Sequence, residues 1–141
     1  MTEKEIYKEL AQRYIFSAEQ HIVKGINVEE VIAFMAYHAF ECLCSAVIVD
    51  SGQNPSRKHK EKLSNFLTLC RNNFKNQINS TDLTDISQMI VALENIRNKL
   101  LYPESQAGNI FKSPKEQIIL TDAQTLVQNV ANIIQKILKI I

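Results

Sequence analysis

The sequence has little glycine, little proline and no tryptophan. Three glycines and three prolines occur in 141 residues, about 4% together against roughly 12% in an average protein. This scarcity excludes collagen-like, proline-rich and Gly/Ser linker architectures, and it argues against a turn-dense β-sandwich or barrel. It also excludes a glycine-rich phosphate loop. The net charge of +1 leaves no global charge excess of the kind that attracts nucleic acid or a membrane surface.

Cysteine is also scarce, and its spacing does not fit a metal site. Cys42, Cys44 and Cys70 are an odd number, and their one close pair is C-x-C inside an apolar run. Without C-x-x-C or His/Cys ligand spacing we predict no metal site, and we expect three reduced, buried thiols in a cytoplasmic protein. The charged N-terminus lacks a signal-peptide core, and no uninterrupted run of 18 apolar residues occurs, so we expect no membrane span. No cofactor motif is present.

Apolar residues recur every three to four positions in five segments, which is the helical period. Proline and glycine lie between these segments, and the fifth is apolar on more than one face near its end. We predict one all-α domain over residues 1–141, an up-down four-helix bundle with a fifth helix packed on it or across it. The predicted helices are about Glu3 to Lys24, Val28 to Asp50, Arg57 to Asn76, Asp82 to Leu101 and Asp122 to Ile140.

Several residues are expected to mark where the helices begin and end. Gly25 is predicted to end the first helix, and Asn27 and Thr121 are predicted to cap the second and fifth. The second helix is apolar nearly all round, so it should be the central one. Residues 103–120 show no period; they are either a functional loop or a mobile crossover. The apolar end of the fifth helix fits burial in the domain and an oligomer interface equally well.

Polar residues interrupt the second helix on one stripe, where His38, Glu41 and Ser45 are spaced i, i+3 and i+7. A buried carboxylate is costly unless it is paired, and Arg97 on the apolar face of the fourth helix is the natural partner. Two interpretations stay open. Glu41 and Arg97 form a buried pair that fixes helix register, or the stripe floors a polar cleft in which Arg97 faces an anion. His38 by itself is more typical of an interior histidine.

The end of the fourth helix reads Arg97-Asn98-Lys99-Leu100-Leu101-Tyr102-Pro103. An arginine offers a two-pronged donor for phosphate, although a helix C-terminus itself repels anions. Asn98 can donate to a phosphate or a base, and Lys99 adds positive charge. Tyr102 can donate a hydrogen bond or stack on a base.

A local basic run extends over residues 57–75. Six Lys/Arg residues stand there against one acid, a local charge of +5 that leaves about −4 for the rest of the chain. The run either steers a nucleotide or RNA or is a solvated helix face. Its aromatic residues, Phe66 and Phe74, belong to the apolar face of the predicted third helix, so the run lacks the interleaved stacking residues that single-strand binders require.

Several strings, taken in order, resemble the HEPN family (higher eukaryotes and prokaryotes nucleotide-binding). In A-Y-H-A-F-E-C-L-C-S-A, Ala39 and Glu41 match the family's Q-A-x-E-x-x-L-K-A pattern, with His38 in place of Gln. His59 is similar to the histidine of a Thr-His-x-Leu string. Arg97-Asn98-x-x-x-Tyr102-Pro103 is similar to the family's signature of an arginine followed by a histidine, with Tyr102 at the histidine position.

The resemblance covers nearly the whole chain and implies a bundle that dimerises, with two arginine motifs across a shared cleft. In many HEPN proteins this cleft is a metal-independent ribonuclease, often a toxin paired with a nucleotidyltransferase antitoxin. The resemblance implies that Arg97 and Tyr102 occupy the catalytic positions. A tyrosine with an ordinary pKa near 10 is a poor general base at neutral pH.

Three functions follow as expectations. The first is a dimeric module that binds a nucleotide or RNA through Arg97, Asn98 and Lys99, with Glu41, His38 and His59 lining the site. The second is an active metal-independent endoribonuclease toxin. The third is a bundle used only for association with a partner or with itself, in which Arg97 is structural.

Overall fold

The structure is a computed structural model that describes residues 1–141 and contains five α-helices with one two-stranded sheet. The chain is an all-α helical bundle, as predicted. The helices are α1 (Glu3–Val23), α2 (Glu29–Asp50), α3 (His59–Asn73), α4 (Ser80–Leu101) and α5 (Leu120–Leu138).

The second helix is the centre of the bundle, because α2 packs against each of the other four helices. Its buried residues number 15 of 22. By length and composition α2 could cross a membrane, with a mean hydropathy of 1.8 over 18 residues, yet 83% of that window is buried inside the protein. A core helix passes the same test of length and composition, and this is the position that α2 has here.

Two pairs of helices are antiparallel, because the start of one helix lies beside the end of its partner. Lys4 at the start of α1 lies 2.9 Å from Asp50 at the end of α2, so these helices are antiparallel. A short connection joins α3 to α4, and His59 at the start of α3 contacts Arg97 near the end of α4. The second pair is therefore also antiparallel, and this arrangement places the beginning of α3 beside the polar end of α4.

The turn between α1 and α2 uses the predicted glycine but not the predicted cap. Gly25 comes directly after Lys24, the C-cap of α1, with φ 68°, and its amide donates to the carbonyl of Ile22, an ending that favours glycine. The prediction that Asn27 caps α2 is wrong. Val28 is the cap residue and makes no side-chain bond to the helix.

The third helix is shorter than predicted at both ends. It begins at His59 because Lys58 is still extended, and Phe74 after its last residue leaves helical geometry. The amides of Gln77 and Ile78 both donate to the Phe74 carbonyl. This turn buries the side chains of Phe74 and Ile78, which a helix continuing to Asn76 would not do.

The segment between α4 and α5 is more ordered than the sequence predicted. Glu104–Ser105 (β1) pairs with Phe111–Lys112 (β2) in an antiparallel hairpin, and Pro114–Gln117 forms a short 3₁₀-helix. The prediction that Thr121 caps α5 is wrong. The amides of Asp122 and Ala123 both donate to the Ile119 carbonyl, so the first turn closes before Thr121 can act as a cap.

The apolar stripe of α5 is buried against α2 and α1. Its buried residues include Ile133, Ile134 and Ile137 near the C-terminus. Burial within the domain therefore accounts for the apolar end of this helix.

Two apolar residues of α4 give a matched test of this packing. Leu93 is fully buried, whereas Val91 is 56% exposed. We expect Leu93→Ala to lower the free energy of unfolding by roughly 2–5 kcal/mol, since it leaves a cavity, and Val91→Ala to change it by less than about 0.5 kcal/mol. Urea unfolding followed by circular dichroism measures both. Equal losses would contradict the assignment of α4's buried face.

Candidate functional site

A polar cluster lies where α2, α3 and α4 meet. The central helix supplies Glu41, the first turn of α3 supplies His59 and Lys62, and α4 supplies Arg97. These side chains form one connected hydrogen-bonded chain, which we call the Glu41 cluster. It is the most extensive polar network that reaches into the bundle.

The Glu41 carboxylate is the buried end of this cluster. It accepts hydrogen bonds from His59 Nδ1 at 2.8 and 2.9 Å and from Lys62 Nζ at 2.9 Å. Burial acts to raise the pKa of Glu41, but the hydrogen bonds from Lys62 and His59 and the positive charge of Lys62 outweigh it and hold the pKa below its ordinary value. Glu41 is therefore an anion at neutral pH.

The anion at Glu41 determines which nitrogen of His59 carries the proton. A carboxylate can only accept, so His59 Nδ1 carries the hydrogen. In the neutral ring Nε2 is then an acceptor, and Arg97 Nη2 donates to it at 2.7 Å. The Glu41–Arg97 ion pair, one of the two interpretations of the sequence, is therefore not formed. The imidazole of His59 separates the two charged groups and links them.

Arg97 retains donor capacity after these contacts. Its Nη1 donates to Asn98 Oδ1 at 3.3 Å, and its Cζ lies 5.9 Å from the centre of the Tyr37 ring, within cation–π range. Arg97 Nε and the Tyr37 hydroxyl are both buried without a hydrogen-bond partner. Burial and the neighbouring Glu41 carboxylate raise the pKa of Tyr37, so its hydroxyl stays protonated.

A buried donor without an acceptor, such as Arg97 Nε, is unusual, because buried polar groups in native proteins are nearly always paired. A group rich in acceptor oxygens would satisfy donors of this kind. The surrounding charge favours an anion: Glu41 is balanced by Lys62, and Arg97 remains as a net positive charge while His59 is neutral. The first turn of α3, which has no side-chain cap, adds the positive end of a helix dipole.

The other predicted site residues lie at different distances from the cluster. His38 contacts the rings of Tyr14 and Phe34 and lies 3.7 Å from Cys42 Sγ, and no hydrogen bond joins it to the cluster. Tyr102 ends α4 and is 58% exposed. Lys99 is also exposed, and neither Tyr102 nor Lys99 makes a hydrogen bond with Arg97.

The structure therefore brings together four of the predicted residues: Glu41, His59, Arg97 and Asn98. Sequence reasoning missed Lys62 and Tyr37 as members of the cluster. Lys62 was included only in the basic run, although it lies three residues after His59 and so on the same helix face. Tyr37 was hidden in the apolar pattern of α2.

The three cysteines and a groove between α4 and α5 do not belong to this cluster. Cys42, Cys44 and Cys70 are unpaired and buried, and burial raises the pKa of Cys42 to about 11 and that of Cys70 to about 12. No group of three or more His, Cys, Asp or Glu residues could hold a metal ion. A groove of about 730 Å³ lies between α4 and α5, and no member of the Glu41 cluster lines it.

No family model matches the chain, and a search of curated proteins finds no significant match.

The Glu41 cluster predicts a specific loss of stability. Glu41→Gln removes the negative charge and leaves the mostly buried Lys62 ammonium without a counter-ion. We expect a loss of about 3 kcal/mol in the free energy of unfolding, at the low end of the cost of breaking a buried pair. Glu61→Gln, which changes an exposed residue beside Lys62 in the first turn of α3, should lower the free energy of unfolding by less than about 0.5 kcal/mol. Urea unfolding at pH 7 compares them, and similar losses would contradict the role of Glu41.

A second prediction concerns pH. Desolvation lowers the pKa of His38, with Lys62 and His59 acting in the same direction and Glu41 opposing them. The unfolded chain then binds more protons, so this contribution to stability is present above about pH 6.5 and is lost as pH falls through the lower folded value. We expect His38→Gln to flatten the profile of unfolding free energy against pH below pH 6.5, as measured by urea unfolding at a series of pH values. A His38→Gln profile as steep as that of the wild type would contradict this assignment.

Proposed function

We propose that the chain is an HEPN-like cytoplasmic module that binds a phosphate group of a nucleotide or of RNA at Arg97, and that it works as a homodimer. The observation that carries the proposal is the guanidinium of Arg97. It is held in place by His59, which is itself hydrogen-bonded to Glu41, and it still has a buried Nε donor without a partner.

The geometry of the guanidinium supports phosphate as the bound group. Arginine is always charged and presents planar pairs of donors that match two oxygens of a phosphate. One nitrogen of Arg97 is used by His59, one makes a long bond to Asn98, and the third has no partner. Asn98 lies beside the guanidinium and would serve as a second donor through its side-chain amide.

The surroundings of the cluster support an anion over a cation. The adjacent α3 carries Lys58, Lys60 and Lys62 in or beside its first turn. The backbone amides at this N-terminal end add a partial positive charge. The C-terminal end of α4 opposes anion binding, but this partial charge is smaller than the full charge on Arg97. Lys99, exposed one residue beyond Asn98, adds to the positive field.

The resemblance to HEPN proteins supports the dimer and the ligand class. It places two arginine motifs across a shared cleft, in which an exposed Tyr102 would be free to stack on a base or donate a hydrogen bond. A nucleotidyltransferase-type antitoxin as partner rests on the resemblance alone. RNA cleavage has less support than binding, because Tyr102 stands at the position of the family's histidine and makes no hydrogen bond with Arg97.

Ligand-dependent thermal unfolding tests the proposal. We expect AMP or a short 5′-phosphorylated RNA to stabilise the wild type, by about 2.7 kcal/mol at 100 times the dissociation constant. Arg97→Ala should lose this stabilisation, and Arg97→Lys should keep only part of it because it retains the charge but not the planar donor pair. Arg71→Ala, an exposed arginine at the end of α3, is the matched control and should respond like the wild type.

Two results would overturn the proposal. One is a wild type that no phosphate ligand stabilises, combined with an Arg97→Ala protein that melts far lower by itself; Arg97 would then be a structural residue. The other is an Arg97→Ala protein that binds as tightly as the wild type.

A further inference from the structure

We propose that this phosphate site selects a terminal phosphate monoester over a phosphodiester, with His59 taking up a proton and donating to the same phosphate as Arg97. The inference rests on the proposed function and deepens it by naming the ligand class. It starts from one contact, the 2.7 Å between Arg97 Nη2 and His59 Nε2.

This contact exists only while His59 is neutral. Its Nδ1 hydrogen is committed to Glu41, so Nε2 can accept from Arg97 only through its lone pair. A proton added to Nε2 would place two N–H donors, His59 Nε2 and Arg97 Nη2, next to each other with no acceptor between them. The contact must then open, and both donors would need an acceptor between them.

An oxygen of a phosphate is the acceptor that fits this position. Inserted between Arg97 and His59, it would receive one hydrogen bond from Nη2 and one from Nε2, both assisted by charge. Both side chains have room to separate. The His59 side chain is 41% exposed and belongs to the first residue of α3, next to the loop of residues 51–58, and the Arg97 side chain is half-buried.

Charges from all three helices bear on the proton at His59. From α2, Glu41 favours the imidazolium. From α3, Lys62 and the amide end of the helix oppose it, and from α4 Arg97 opposes it as well. The unliganded contact uses Nε2 as an acceptor, and an incoming anion adds a negative charge that favours a proton on this nitrogen.

The size of the ligand charge then decides selectivity. With neutral His59 the cluster carries a net charge of +1, which matches the single charge of a phosphodiester. With protonated His59 it carries +2, which matches a phosphate monoester, a group that is mostly dianionic above pH 7 because its second pKa is about 6. The monoester therefore gains a second charged donor that the diester does not draw into the site.

Isothermal titration calorimetry at pH 7.5 tests this, with the full chain and three probes: AMP, methyl phosphate and the dinucleoside monophosphate ApA. Titrations in buffers of different ionisation enthalpy count the protons taken up, since the buffer acid supplies each proton to Nε2. We expect close to one proton per AMP or methyl phosphate and close to none per ApA. AMP should bind about tenfold more tightly than ApA, the worth of one charged hydrogen bond at a half-exposed position.

Variants separate the role of His59 from that of Arg97. His59→Gln keeps a polar side chain that cannot titrate, so proton uptake should vanish and the preference for AMP should fall to about twofold or less. His21→Gln is the matched control and should behave like the wild type. If methyl phosphate binds as tightly as AMP, the phosphate alone is recognised. If methyl phosphate binds more weakly than AMP, the nucleoside also contributes to binding. Both results fit the inference.

Other outcomes overturn it. If AMP and ApA bind the wild type equally well without proton uptake, the proposed phosphate site stands and the selectivity of His59 is refuted. Proton uptake that persists in His59→Gln refutes it as well. If none of the three probes binds, both the inference and the proposed function fail.

Discussion

A carboxylate inside the most apolar helix of the protein is the constraint on which the polar part of this structure depends. Glu41 lies among the buried residues of α2, and a buried charge must be neutralised by partners that reach it. The partners come from α3, whose first turn carries both His59 and Lys62. The need to pair one group therefore fixes where α3 begins against α2, and through His59 it also fixes the orientation of Arg97 on α4.

The period of apolar residues was sufficient to predict the bundle, because each helix has a face that only burial satisfies. The five segments, the central position of α2 and the glycine ending at Gly25 all follow from local patterns. The errors fall at helix ends. Asn27 and Thr121 have the chemistry of caps, but the backbone turns closed at other residues, and tertiary packing of Phe74 and Ile78 ended α3 early.

The candidate site was predicted in part for a related reason. Sequence spacing shows which residues share a face of one helix, and so it singled out Glu41 and Arg97. It does not show which side chain a loop places between two helices. Residues 51–58 bring His59 into the space between the two charged groups, and this long-range placement changed a direct ion pair into a three-residue chain. Lys62 could have been found from its spacing to His59, whereas nothing in the pattern of α2 distinguishes Tyr37 from its apolar neighbours.

The three thiols have a consequence for how opening of the core can be followed. Cys42 and Cys44 lie on α2 and Cys70 on α3, all buried and with pKa values raised by desolvation. A thiol reacts as the thiolate, so alkylating reagents meet almost no reactive sulfur while α2 and α3 stay packed. Labelling then proceeds only through transient separation of these helices. The rate of thiol alkylation therefore reports how often the core that positions Glu41 opens, and no introduced probe is needed to measure it.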